Sequence, residues 1–178
     1  MASLAAPIHR LTVDDVLAMV EAEILTEYDR VELVDGVLVD LSPQTPAHED
    51  AKEWLNHYFV RDADCRVRIE AMFLTDSGYI LPDLLVAREF PRGVHPRTAP
   101  LAVEIANTSH RRDREKLADY ARAGVPEYWI VDVISEVVVV HRDPTGDAYV
   151  TVIEHRDGEF QPLLDAPPLA LDALFGRS

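Results

Sequence analysis

A chain of 178 residues has the length of one ordinary domain, and an apolar share of 48% with 28% charged side chains describes a globular protein able to bury a core, residues 1–178 being read as a single domain. No stretch approaches the roughly 20 apolar residues that span a bilayer, Met1–Pro7 lacks the basic and hydrophobic regions of a signal peptide, and the lone cysteine, Cys65, excludes an internal disulfide, so a cytoplasmic protein is expected. Against 32 acidic residues stand 17 basic ones, and the net charge of −15 argues against broad electrostatic adhesion to nucleic acid. Charge effects fade over about 8 Å at physiological salt, so a local basic cluster can still meet phosphate on an acidic molecule. Arg111, Arg112, Arg114 and Lys116 form one such cluster, with Arg88, Arg92 and Arg97 nearby in sequence; an ordinary solvated surface accounts for them equally well.

In chain order, Thr12-Val13-Asp14-Asp15 resembles a capping box opening a helix with Val16, Leu17 and Val20 at helical spacing. Arg30–Val34 and Val37–Leu41 flank Asp35-Gly36, the sequence of a two-residue hairpin turn. After Ser42–Pro46, a helix is predicted over Ala47–Phe59 with Ala51, Leu55 and Tyr58 on its packing face. Val67, Ile69, Ala71 and Phe73 alternate with Arg68, Glu70 and Met72 as in a half-buried strand. Two apolar runs, Ile80–Val86 and Leu101–Ile105, read as further strands, and a helix over Arg112–Ala123 stops at Gly124-Val125-Pro126. Strands at Tyr128–Val133 and Val137–His141 follow, with hairpin punctuation at Asp143–Asp147 and Arg156–Gly158 and a short closing helix at Leu169–Phe175. The order predicts an α/β (α+β) domain with a mixed central sheet and a C-terminal antiparallel meander.

Asp83 and Glu104 carry the chemical signal. Pro82 has no N–H to give a ladder, which places Asp83 at a strand start or edge, open to ligands. Glu104 stands within Leu-Ala-Val-Glu-Ile, where an unpartnered acid is costly. It is either half of an arginine salt bridge, a residue on a sheet edge facing water, or a ligand. Glu32, within Val31–Val34, poses the same question, with a solvent-facing strand as its plain reading. Asp113, Lys116 and Tyr120 share one helix face. A surface Asp–Lys pair explains the first two; a lysine beside a divalent cation and its water would suit phosphodiester hydrolysis. Ser42, His48 and His110 could add hydrogen bonds, although His48 reads first as a cap or surface residue. Carboxylate oxygens suit a hard cation such as magnesium; no zinc spacing, nucleophile elbow or glycine-rich phosphate loop is present.

The succession Glu32-Leu33-Val34-Asp35-Gly36, Ser42-Pro43 with His48, Pro82-Asp83, Val103-Glu104-Ile105, Asp113 with Lys116 and Tyr120, and Gly124–Asp132 resembles the Uma family of restriction-endonuclease-like proteins, within the PD-(D/E)XK nuclease superfamily. The match runs from about Tyr28 to Arg142. The resemblance implies a restriction-endonuclease-like core, a mixed central sheet flanked by helices, with Asp83 and Glu104 as ligands of Mg2+ or Mn2+ and the Ile105 backbone carbonyl as a further ligand. The superfamily lysine usually stands two residues after the acid, where this chain has Ala106, so Lys116 replaces it; Asn107 stands where the family more often has serine.

The function expected is a divalent-metal-dependent endonuclease acting on nucleic acid, with DNA as the expected polymer. Asp83 and Glu104 hold the ion, Glu32 supports it, Lys116 positions the attacking water, and Tyr120 assists or packs. The alternative is a catalytically silent dimeric binding or regulatory module that keeps the nuclease fold, a reading favoured by the acidic charge. A homodimer is expected in either case, on the apolar run Val137–Val140, which also reads as plain core.

Overall fold

The computed structural model describes residues 8–26, 28–106 and 110–177, and the side chains at 110–115 fall outside that description. The readings of Asn107, His110, Arg111, Arg112, Asp113 and Arg114 therefore concern groups outside the described residues. The first helix, α1 (Val13–Glu21), opens on the capping box expected: the Asp15 N–H donates to Thr12 Oγ1 at 3.2 Å and the Thr12 N–H to Asp15 Oδ2 at 2.8 Å. Val16 is its buried residue; Val20 is exposed, so the packing stripe is narrower than the periodicity suggests.

Strands β1 (Val31–Val34) and β2 (Val37–Asp40) form the predicted hairpin, with φ of +48° at Asp35 and +73° at Gly36. Helix α2 (Pro46–His57) is capped by Thr45 and runs on into one π-helical turn at Tyr58–Asp62. Next come β3 (Arg66–Ile69), β4 (Phe73–Leu74), β5 (Tyr79–Ile80), β6 (Leu84–Ala87) and β7 (Leu101–Ala106), then α3 (His110–Arg122). The chain continues as β8 (Glu127–Asp132), β9 (Val137–Thr145), β10 (Ala148–His155), β11 (Glu159–Phe160), β12 (Leu169–Ala170) and α4 (Leu171–Leu174).

Six strands form the central sheet in the order β10-β9-β8-β7-β6-β3, and β7 and β8 are its parallel pair. A second, antiparallel sheet has the order β2-β1-β5-β4. The two runs read as single strands are each divided between these sheets. In 67–73, Val67 and Ile69 belong to β3 and Phe73 to β4; in 80–86, Ile80 closes β5 and Leu84 opens β6. Pro82 marks the second break, since it cannot continue a ladder, and the three residues 81–83 carry the chain from one sheet to the other. Arg156–Gly158 is also no hairpin: β11 pairs with β12 rather than with β10. That leaves α4 shorter than the Leu169–Phe175 helix expected.

Period-two alternation divides the core between the two faces of the central sheet. Val103, Ile105, Trp129, Val131, Val138 and Val140 face α2 and the C-terminal segment, packing with Leu55, Phe59 and Leu171. Ala102, Ala106, Tyr128 and Ile130 face α3, packing with Tyr120, Ala121 and Phe73. Val137, Val138 and Val140 are thus buried core, and Val139 is partly buried. At the lower end of β8 the fully buried Glu127 takes two bonds from Arg142, of 2.7 and 3.0 Å, and one from the Leu163 N–H, tying the C-terminal segment to the sheet.

Gly78 fixes the join between β1 and β5. Its φ is +153°, and a methyl group there would sit 2.0 Å from the Leu33 carbonyl oxygen. Gly78→Ala should cost about 2–4 kcal/mol. Gly146→Ala, with φ of +62° and open space around its methyl position, should cost about 1–2 kcal/mol. Urea denaturation of both variants checks this, and equal losses would show that the Leu33 contact does not set the approach of the two strands.

Candidate active site

The alternation of β7 that sends Val103 and Ile105 towards α2 sends Glu104 towards α3, where Lys116 and Tyr120 stand one helical turn apart. Lys116 Nζ lies 3.1 and 3.2 Å from the two Glu104 oxygens and 2.9 Å from Glu32 Oε1. Tyr120 donates its hydroxyl to Glu104 Oε1 at 2.6 Å. Glu32, brought in by β1, accepts the Leu81 N–H at 2.9 Å and so also holds the segment between the sheets. Glu32, Glu104, Lys116 and Tyr120 are all buried. The partner of Glu104 is thus a lysine, and neither Glu104 nor Glu32 faces water.

Asp83 immediately precedes β6 and is 7% exposed, less open to ligands than Pro82 suggested. Its Oδ2 accepts the Ile105 N–H at 2.8 Å and faces His48 Nε2 at 3.1 Å; its Oδ1 receives a long bond of 3.3 Å from Gln44 Nε2. A carboxylate only accepts, so the facing nitrogen of His48 carries a proton, while the buried Nδ1 has no hydrogen-bond partner among the described residues. His48 is therefore a buried neighbour of Asp83 rather than a surface residue. Asp83 and Glu104 are linked through adjacent backbone positions, because the N–H that Asp83 grips belongs to the residue after Glu104. Ser42 is exposed.

Behind Asp83 lies a group that spacing did not reveal. Glu70 takes bonds from Lys52 at 2.6 Å, Gln44 at 2.7 Å and Arg30 at 3.0 and 3.1 Å. Glu70 directly follows β3, Lys52 stands on α2, Gln44 in the loop before α2, and Arg30 directly precedes β1. Each reads singly as a surface charge or loop polar residue; the one local hint is that Glu70 sits where the alternating run breaks. Of the linker arginines, Arg88 is occupied in binding the Ala63, Asp64 and Asp165 carbonyls, and Arg92 and Arg97 are exposed.

Burial pushes the Glu104 carboxyl up to about 8, with Asp83 and Glu32 adding repulsion and Lys116 and Tyr120 opposing it. Lys116 is held firmly protonated: burial alone would lower its pKa, but the charges of Glu104 and Glu32 raise it further than that. Tyr120 is pushed well above its ordinary value by burial and by Glu104. The cluster combines three acids with one ammonium in a buried place. Once Glu104 gives up its proton, three carboxylates face one ammonium, an excess of negative charge on hard oxygen donors of the kind that a divalent cation relieves.

The sequence profile of the Uma2 family, described as "Putative restriction endonuclease", matches residues 14–173. The chain belongs to the Uma2 family. Its fold is similar to that of a crystal structure from Anabaena variabilis titled as "a putative nuclease belonging to DUF820", with a TM-score of 0.71 and 15% identity over 94% of this chain and 98% of that one. No curated protein sequence matches. As a Uma2 protein the chain has the restriction-endonuclease-like architecture expected of it, and among its described residues no helix is long and apolar enough to cross a membrane.

The raised carboxyl has a signed consequence for stability. The folded protein holds the Glu104 proton more tightly than the unfolded chain, so this contribution is fully present below pH 4.5 and is lost as pH rises towards about 8. Glu104→Gln should therefore gain on the unmodified protein in denaturation midpoint between pH 5 and 9. Parallel profiles across that range would show that Glu104 does not titrate as its burial requires.

Proposed function

We propose that the protein is a divalent-metal-dependent endonuclease that hydrolyses phosphodiester bonds of nucleic acid, with DNA as the first substrate class. The observation that carries this reading is Asp83, just before β6, gripping the N–H of Ile105, the residue after Glu104 on β7, with Lys116 and Tyr120 closing on the Glu104 carboxylate. Family membership supports the nuclease class.

The donor chemistry fits Mg2+ or Mn2+. Among the described residues no three acidic, histidine or cysteine side chains form a ready metal cage. An ion of this type ordinarily takes one or two carboxylates and fills its remaining positions with water and substrate oxygens. Asp83 and Glu104 would hold it, with the Ile105 carbonyl as a further oxygen. The ion would supply Lewis-acid polarisation of the scissile phosphate.

The chain's own groups do the rest. Asp83 is aimed by two partners on Oδ2, which leaves Oδ1 with the single long Gln44 contact. Lys116, being protonated, is a donor and not a general base. Its three N–H groups meet both Glu104 oxygens and Glu32, so it would orient a water, or meet charge developing on the phosphoryl group, by releasing one Glu104 oxygen. Glu32 anchors that ammonium, and Tyr120 fixes the Glu104 rotamer.

Purified protein with Mg2+ or Mn2+ and a DNA substrate should show cleavage that Asp83→Ala and Glu104→Ala each abolish. Cleavage surviving both substitutions would sink the assignment. Tyr120→Phe, which removes a bond onto a ligand, should cost about 10–100-fold. Binding of nucleic acid to the unmodified protein should weaken steeply as salt rises. No cleavage together with a flat salt response would favour the silent binding module.

A further inference from the structure

We infer that Glu70, acting through Gln44, is a positioning residue for Asp83. Three observations converge on it. Glu70 has a φ of +47°, the left-handed region that side chains other than glycine and asparagine seldom occupy, at a cost of about 1–2 kcal/mol. That conformation turns its N–H onto the carbonyls of Pro82, at 3.0 Å, and Asp83, at 3.4 Å, the residues that lead the chain from one sheet to the other. Its carboxylate gathers Arg30, Lys52 and Gln44, and Gln44 in turn reaches Asp83 Oδ1.

The orientation of the Gln44 amide follows from its partners. Carboxylates accept and an ammonium donates, so the NH2 end faces Glu70 and Asp83, and the oxygen faces Lys52 Nζ at 2.5 Å. A flip would set the amide oxygen against two carboxylates and its NH2 against a lysine. Glu70 therefore fixes Gln44, and Gln44 marks the direction of Oδ1 while Ile105 and His48 hold Oδ2. One residue thus pins Asp83 twice, through the backbone before β6 and through the side chain. The conformation at residue 70 is maintained for the sake of the acid it aims rather than for the strand it ends.

Two readouts test this, and only the second rests on the metal-dependent reading. In metal-free protein, amide hydrogen exchange at Ile105 reports whether Asp83 Oδ2 still holds that N–H. Glu70→Gln and Gln44→Ala should each speed exchange at Ile105 several-fold while Val103 and Trp129 keep their protection. In an Asp83→Ala background neither should add anything. Glu70→Gly, which accepts the backbone conformation without strain but lacks the carboxylate, should behave like Glu70→Gln, whereas a purely backbone role would leave it like the unmodified protein. Calorimetric titration with Mn2+ should show affinity about 10-fold weaker in Glu70→Gln and Gln44→Ala with stoichiometry unchanged, the usual loss on removing an outer hydrogen-bond partner. Ile105 exchange unaltered in both variants overturns the inference. Altered Ile105 exchange with no Mn2+ binding by the unmodified protein, either alone or with DNA present, overturns the metal-dependent function and leaves the positioning role standing.

Discussion

The structure turns on one ammonium group. Lys116 stands between Glu32 and Glu104, both almost fully buried, and joins helix α3 to one strand from each sheet. Two carboxylates in so dry a place would be untenable alone; a missing partner in a buried pair typically costs about 3–5 kcal/mol. The same contact that makes the acids tolerable also settles what the lysine can be. An ammonium fixed by two carboxylates donates and orients, and it does not accept a proton.

The acidic composition acquires a physical meaning from this local accounting of charge. The described cations nearest the candidate site are committed internally: Lys116 to Glu32 and Glu104, Lys52 and Arg30 to Glu70. None is left as a free positive face for a polyanion. A net charge of −15 around a buried acidic cluster is a poor surface for phosphate until something of opposite sign enters, and hard oxygen donors select small divalent cations over transition metals that favour nitrogen or sulfur.

What could be read from the chain, and what could not, follows the range of the interactions. The Asp35-Gly36 hairpin and the Thr12–Asp15 cap were legible because their determinants lie within a few residues. Glu104 stood out as an acid in an apolar strand, and the spacing of Lys116 and Tyr120 placed them on one helix face. Asp83 was marked by Pro82, although its burial was not. The divisions of 67–73 and 80–86 between two sheets were hidden, since alternation looks the same whichever sheet a residue joins; only the proline gave a local reason for a break. His48, Gln44, Lys52 and Glu70 were illegible as a group for the opposite reason. Each is an ordinary polar residue in its own neighbourhood, and the contacts between them depend on how separate elements are brought together.

The distances in sequence across the cluster have a consequence for when it exists. The bond from Leu81 to Glu32 closes a separation of 49 positions, that from His48 to Asp83 one of 35, and that from Ile105 to Asp83 one of 22. Such contacts carry a loop-closure cost that is repaid only late in folding. Lys116 and Tyr120 arrive on a helix that follows all the strands bearing the acids. A chain emerging from synthesis therefore carries Glu32 and Asp83 well before Lys116, with Glu104 only 12 positions ahead of it, and the cluster is complete only when both sheets and α3 have docked. The cluster is thus a property of the finished molecule rather than of any one element.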